Sequence, residues 1–505
     1  MPLSADEPIR ALVASDMIFN GNYVAPELNG TVYLNKPPLY NWILVVFFKL
    51  FNSFDEWVLR LPSILSLIGF GVIVFKVTKR HLQDSRFAWI AAVATITAGN
   101  LWIYSAYLGH IDVLYSVVVF VQIYALYYYG SKDAWNKAFA LSYALAFVGF
   151  MMKGLPSIVF QGISLITILV IHKSFKRLWS LPHILSGFIF IIPLAVYLWL
   201  FSQYENVELL LDRLLTESSS RTVTDKGFLE SIGHIFAFPF LYLLDILPWG
   251  FAIFIFVRKD ARKLVWAHKF LKTAILLFLF NIIIYWLSPD YRARYVFMLN
   301  PLLLIPSLYA SYKLLPQKVF SWISVLFGIL LVLAPIVMYI ISKNVLTALQ
   351  FWPVLLIVGL GLIGLYFIKQ YASANSVYLI VVGLIIARIG YSQYMVPFRV
   401  ATGPYLSEKI EGQKIGSITK GEQLAMYNSN VALTMNWYIS TQRMTSIGTE
   451  TKDYSFDSYY LVPTEVIKDT SNVETYYTFV RRFEGKPFSL VKFKHRFPEI
   501  PKKKK

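Results

Sequence analysis

Runs of about 20 apolar residues alternate with short polar segments along most of the chain, the pattern of helices that cross a bilayer. Twelve spans are predicted: Trp57–Val77, Phe87–Tyr107, Val113–Tyr129, Ala138–Met152, Leu155–Ile171, Ile184–Phe201, Ile235–Val257, Thr273–Leu287, Tyr295–Leu314, Val319–Ile341, Pro353–Ile368 and Val377–Val396. A few are short, as expected where a helix end lines a polar cavity. The first forty residues break the pattern. Ser4 and Glu7 have capping-box spacing, which predicts a helix to about Phe19 with Asp6 and Glu7 in its first turn. A loop rich in Asn and Gly then leads to Tyr33-Leu34-Asn35-Lys36-Pro37-Pro38 and a second helix, Leu39–Leu50, too short to span and read as interfacial. Beyond Pro397 the composition turns polar, with strands predicted near Ile415–Ile418, Tyr459–Val462 and Ser489–Phe493 and a helix over Val431–Ser440.

The predicted fold class is therefore an α-helical polytopic membrane protein of about 12 spans with a small C-terminal α/β outer domain. Its parts are an external catalytic loop with interfacial helices (1–54), a multispanning domain (55–396) and a soluble domain (397–505). The charge pattern orients it. The net charge of +18 comes largely from bases between the apolar runs, such as Lys76, Lys79, Arg80 and Arg86, then Arg258, Lys259, Arg262 and Lys263. By the positive-inside rule these segments are cytoplasmic, which speaks against nucleic acid as the partner of so basic a chain. Residues 6–36, Asp112, Lys153, the loop Gln203–His234, residues 289–294 and everything after Pro397 are then extracytoplasmic. Delivering the first residues to that side requires a further N-terminal helix, so thirteen spans are expected in the intact protein. The absence of cysteine excludes disulfides, thiolate metal sites and cysteine catalysis. The tail Pro501–Lys505 reads as a solvated or headgroup-binding charge run.

This topology gathers an unusual polar set on one side: Asp6 and Glu7, Lys36 before the diproline, Asp112, Lys153 before Gly154, then Asp290, Arg292 and Arg294. Ionisable groups at membrane depth are costly and mark functional sites more often than surface charges do. Lysine and arginine suit a buried phosphate, and a carboxylate nearby can take the proton of an attacking hydroxyl or hold a divalent cation. A lipid-phosphate sugar donor would fit, with bases gaining interaction as charge builds on the departing phosphate. Plainer readings exist for each residue: helix capping for Asp6, Glu7 and Asp112, snorkelling for Lys153, headgroup contacts for Arg292 and Arg294.

In order and spacing, Asp6-Glu7-Pro8, Ala14-Ser15-Asp16, Val24 to Gly30, Tyr33 to Trp42 and Glu56-Trp57 to Ser63 resemble the first external loop of the bacterial aminoarabinose transferases of lipid A. These belong with the protein O-mannosyltransferases in the glycosyltransferase C superfamily. Asp112, Met152-Lys153-Gly154, Leu247-Pro248-Trp249 and Arg294-Tyr295 with Pro301 extend the resemblance to about residue 310. It implies a multi-pass enzyme of the bacterial inner membrane with its active site and C-terminal domain extracytoplasmic. Such an enzyme moves a sugar from a polyprenyl phosphate to an envelope lipid, glycan or protein acceptor. Carried over by motif, Asp6 is the principal catalytic acid, with Glu7 beside it and Asp112 as the second acid. Lys36, Lys153, Arg292 and Arg294 meet the donor phosphate, and Tyr33 lines the cavity together with Arg10 and Asn35. Some members bind a divalent metal, for which Asp6 would be the ligand. Asn35 stands where the family has an acid, and Ile9-Arg10 where it has Arg-Tyr, so the sugar and acceptor need not be aminoarabinose and lipid A. The alternative function is a transporter or flippase of lipid-linked sugars, which would place its charges near the midplane on helices related by a repeat; no repeat is seen.

Overall fold

Every one of the twelve apolar segments forms a helix or a broken helix in the computed structural model, which describes residues 1–219, 228–345, 351–371, 377–427, 430–450, 458–467, 471, 473–480 and 485–494. The loop Thr216–Lys226 lies partly, and the tail Pro501–Lys505 wholly, outside the described residues. The chain divides into two compact units: residues 1–33, 41–59 and 398–505 form one, residues 34–40 and 60–397 the other.

In chain order the helices are α1 (Glu7–Asn20), α2 (Leu39–Phe51), α3 (Glu56–Leu82), α4 (Ser85–Ile96), α5 (Gly99–Ile103), α6 (Ile111–Gly130), α7 (Trp135–Lys153), α8 (Pro156–Ile171) and α9 (Leu181–Phe201). Then come α10 (Val207–Ser219), α11 (Phe228–Asp245), α12 (Lys259–Ala267), α13 (Lys269–Trp286), α14 (Asn300–Leu314), α15 (Gln317–Ser342), α16 (Trp352–Tyr371), α17 (Val377–Gly390), α18 (Val396–Thr402), α19 (Tyr405–Ile418) and α20 (Leu433–Arg443). Among the described residues six helices are each long and apolar enough to cross a membrane, and α4 with the segment from Gly99 makes a seventh candidate bent by 64°. The other predicted spans are shorter or interrupted. Ile235–Val257 becomes α11, a turn and a 3-10 helix over Trp249–Val257, while Tyr295–Leu314 opens with two 3-10 turns. Pro239 and Pro306 are not the cause, since both lie inside continuous helix; the first break falls at residues 246–248, after α11 has ended at Asp245. The helices of this larger unit bury aromatic and β-branched faces on one another, as where α15, α16 and α17 enclose Val332, Val358 and Leu379.

In the other unit α1 packs on α20. A five-stranded mixed sheet is ordered β4 (Gly448–Glu450), β3 (Leu424–Tyr427), β5 (Tyr459–Pro463), β7 (Pro487–Phe493) and β6 (Val473–Val480). The N-terminal strands β1 (Glu27–Leu28) and β2 (Thr31–Val32) form a separate hairpin. Strand alternation sends Met426, Leu461 and Leu490 to the face covered by Ile415, Met435 and Ile439, and Tyr427, Tyr460 and Val491 to the other. The strands predicted at 459–462 and 489–493 and the helix at 431–440 are present. The strand predicted at Ile415–Ile418 is instead the last turn of α19. Its glycine is there for contact between helices: a Cβ on Gly416 would lie 2.7 Å from Gln442 Cβ on α20.

Two acids in this unit hold structure. Glu56 accepts from Lys409 Nζ at 2.6 Å and from the Tyr438 hydroxyl at 2.8 Å. Asp16, 4% exposed, accepts from Ser446 Oγ at 2.7 Å. Burial pushes the Asp16 carboxyl up to about 7, with Glu27 adding to the rise and the Ser446 bond opposing it.

Candidate active site

The start of α6 is where an acid at membrane depth finds its partners. His110 is the N-cap, so Asp112 sits in the first turn, where a negative charge suits the helix end. It is not the cap itself. Ser63, from the motif at the head of α3, donates to the His110 carbonyl at 2.9 Å and fixes the entry to α6. Lys153 ends α7, and its Nζ lies 2.5 Å from Asp112 Oδ1 while facing the rings of Tyr115 and Tyr295, each 4.8 Å away. On the other oxygen, Arg294 Nε stands 3.7 Å from Asp112 Oδ2. The three side chains are 5%, 8% and 11% exposed. One carboxylate between two cations leaves a surplus of one positive charge in a buried setting, a poor place for a divalent metal and a good one for an anion.

Gly154 follows Lys153 with φ 77°, which lets the chain turn sharply into α8. A Cβ there would touch Leu214 Cδ2 of α10 at 3.5 Å. The same helix reaches the Asn35-Lys36 segment: Arg213 Nε donates to Asn35 Oδ1 at 2.7 Å, and Glu217 Oε1 lies 3.6 Å from Lys36 Nζ. Thus α10, amphipathic with Leu210 and Leu214 buried, borders both the lysine of the first loop and the turn after Lys153.

Arg292, predicted to share the phosphate with Arg294, is exposed and not part of the triad. The loop that carries both is tied instead through Tyr291, whose hydroxyl donates to Asp245 Oδ2 at 2.7 Å, with Asn100 Nδ2 on Oδ1 at 3.4 Å. Neither Asp245 nor Asn100 stands out in the sequence, because each sits beside an apolar run and has no charged neighbour to mark it. Nearby, Trp249 of the Leu247-Pro248-Trp249 motif donates its indole N–H to Thr97 Oγ1 at 2.9 Å, a structural bond.

Asp6, Glu7, Arg10 and Tyr33 belong to the other unit. Asp6 is the N-cap of α1, which begins at Glu7 and so two residues later than a capping box on Ser4 predicts; its side chain makes no cap hydrogen bond. Glu7 is fully buried and accepts the Ser4 backbone N–H at 3.0 Å, the return half of a capping box. That gives Glu7 a structural bond. Arg10 Nη2 donates to the Tyr33 hydroxyl at 3.0 Å and its guanidinium lies 5.5 Å from that ring. Among the described residues no three of His, Asp and Glu come together as a metal site would need.

With 97% of this chain and 94% of the other aligned, the crystal structure of ArnT from Cupriavidus metallidurans bound to undecaprenyl phosphate matches with a TM-score of 0.73 at 16% identity. The chain has the ArnT fold. The apo form of that ArnT matches with a TM-score of 0.66. An oligosaccharyltransferase of Archaeoglobus fulgidus, solved with Zn and sulfate, matches at 0.50 with 11% identity over 97% of this chain and 69% of that one. Residues 35–199, about a third of the chain, match the family described as dolichyl-phosphate-mannose-protein mannosyltransferase. That stretch includes Asn35, Lys36, Asp112 and Lys153 but not Arg294. An uncharacterized protein of Aquifex aeolicus (strain VF5) is 22% identical over 277 residues, and the alignment spans 52% of its length.

Proposed function

We propose that this chain is an integral-membrane glycosyltransferase that moves a sugar from a polyprenyl phosphate to an envelope lipid, glycan or protein on the extracytoplasmic face of the bacterial inner membrane. The observation that carries the proposal is the buried Asp112–Lys153–Arg294 triad with its one surplus positive charge, bordered through α10 by Lys36. A polyprenyl phosphate is an anion that lysine and arginine side chains of this kind hold well. The partly exposed Lys36–Glu217 pair is weak enough for a phosphate to displace the carboxylate.

In the reaction an acceptor hydroxyl attacks the anomeric carbon, the bond from that carbon to the phosphate oxygen breaks, and the electron pair remains on the phosphate. Lys153, Arg294 and Lys36 stabilise the charge that accumulates there. Asp6 takes the hydroxyl proton. Asp112, held by two cations, orients the bases and is a poor proton acceptor. This shifts its role from the second catalytic acid expected from the sequence to a positioning residue. Asp6→Asn tests the assignment: transfer from a polyprenyl-phosphate sugar should fall by at least about a hundredfold while the purified variant folds and binds undecaprenyl phosphate normally. Near-normal turnover would remove Asp6 from the mechanism.

A further inference from the structure

A second feature of the membrane-spanning unit is a cavity lined by none of the triad residues. It is a crevice of about 790 Å³ between α11, the 3-10 segment Trp249–Val257, α12 and α13, lined almost wholly by apolar side chains but ending at Arg262, Lys263 and Trp266. Its lining on α13 runs from Ile275 to Trp286. The eleven steps from Ile275 to Trp286, the last residue of α13, rise about 16 Å, enough to hold a lipid acyl chain. Phe240, Phe254 and Leu279 in its wall are exposed, so the crevice is open along one side.

The mouth is electrostatically distinct. Arg258 binds both oxygens of Asp260, at 3.0 and 2.6 Å, and so neutralises the one acid of α12. Arg262 gives two N–H bonds to the Phe256 and Val257 carbonyls, leaving three of its five donors outside those bonds. No carboxylate among the described residues lies within ion-pair distance of Arg262 or Lys263. The mouth lies before the first residue of α13, whereas Arg294 follows its last. Eighteen residues of helix separate those ends by about 27 Å, so this is not the phosphate position of the triad.

We propose that the crevice binds an anionic glycerophospholipid from the leaflet at the basic face: acyl chain along α13, phosphate at Arg262 and Lys263, Trp266 at headgroup level. The match of an apolar slot to two bases with no carboxylate partner among the described residues selects a lipid of net negative charge over a neutral or zwitterionic one. The proposal rests on the chain being membrane-embedded and is independent of the transferase reading.

Native mass spectrometry of the full chain in detergent, titrated with phosphatidylglycerol or phosphatidylethanolamine, tests it. Wild type should retain one phosphatidylglycerol preferentially. Arg262→Gln and Lys263→Gln should each weaken that retention about fivefold and together roughly 30-fold. Leu279→Trp, which fills the slot and leaves the charge intact, should lower retention of both lipids. Equal retention of the two lipids by wild type, or unchanged retention by the Arg262→Gln/Lys263→Gln variant, overturns the proposal. So does displacement of phosphatidylglycerol by undecaprenyl phosphate at lower concentration, which would make the carrier lipid the occupant.

Discussion

Replacing Lys153 by methionine keeps the length of the side chain and removes the ammonium, so it isolates what the charge does. At an effective dielectric near 20 the gross attraction across 2.5 Å to Asp112 is about 7 kcal/mol, against about 4.5 kcal/mol across the 3.7 Å from Arg294. Lysine is thus the dominant partner. Leaving a buried carboxylate with only the more distant cation costs about 3–5 kcal/mol, and the contacts with the Tyr115 and Tyr295 rings add about 0.5–2 kcal/mol each. Lys153→Met also takes the triad from one surplus positive charge to none. Loss of a charge-assisted bond worth about 1.5–3 kcal/mol predicts undecaprenyl phosphate affinity lower by about 10- to 150-fold. Asp112→Asn/Lys153→Met leaves Arg294 alone with its charge, so the double variant should be more stable than Lys153→Met and should bind the carrier better. Chemical denaturation in micelles and titration with undecaprenyl phosphate read the two effects separately. If Lys153→Met unfolds within about 0.5 kcal/mol of wild type and binds the lipid within twofold, Lys153 merely snorkels to the interface and the triad is not an anion site.

Asp245 and Tyr291 should act as one unit in holding the loop that presents Arg294. Asp245→Asn and Tyr291→Phe are each expected to lower carrier binding about fivefold, equivalent to about 1 kcal/mol; a double variant much worse than either single one would contradict a shared bond. The Asp16 carboxyl, raised from 3.8 to about 7 in the fold, makes the native state bind more protons than the unfolded chain between those values, so stability should fall as pH rises from about 4 to 7. Asp16→Asn should flatten that slope and stabilise the protein at neutral pH, and an unchanged profile in unfolding measurements would show that Asp16 does not titrate there.

Periodicity carries the fold because bilayer-spanning helices need nothing but apolar length, and each predicted apolar segment is helical. It does not carry continuity. Where the turn at 246–248 and the Thr97 bend interrupt an apolar run, hydropathy stays high while the helix does not continue, so spans read as single become bent or broken. The misread strand at Ile415–Ile418 has a related cause. Isoleucines three apart flanking a glycine fit a short strand ending at a turn as readily as a helix pressed against its neighbour, and only the proximity of Gln442 decides between them.

The site divides along the same line. Charges inside or beside apolar runs announce themselves, since membrane depth leaves few reasons for an ion, and Asp112, Lys153 and Arg294 do come together. What sequence order could not convey is stoichiometry. Two cations lie on the one carboxylate of Asp112, so in the proposed reaction an acceptor hydroxyl would have to compete with Lys153 and Arg294 for the same two oxygens. Of the two adjacent acids, Glu7 accepts the Ser4 backbone N–H, which commits one of its oxygens to the start of α1, while Asp6 is the N-cap residue and makes no side-chain cap bond. Sequence offers the pair as equals, and only the bond to Ser4 separates them. The burden of proof for the proposed proton acceptor therefore falls on Asp6→Asn.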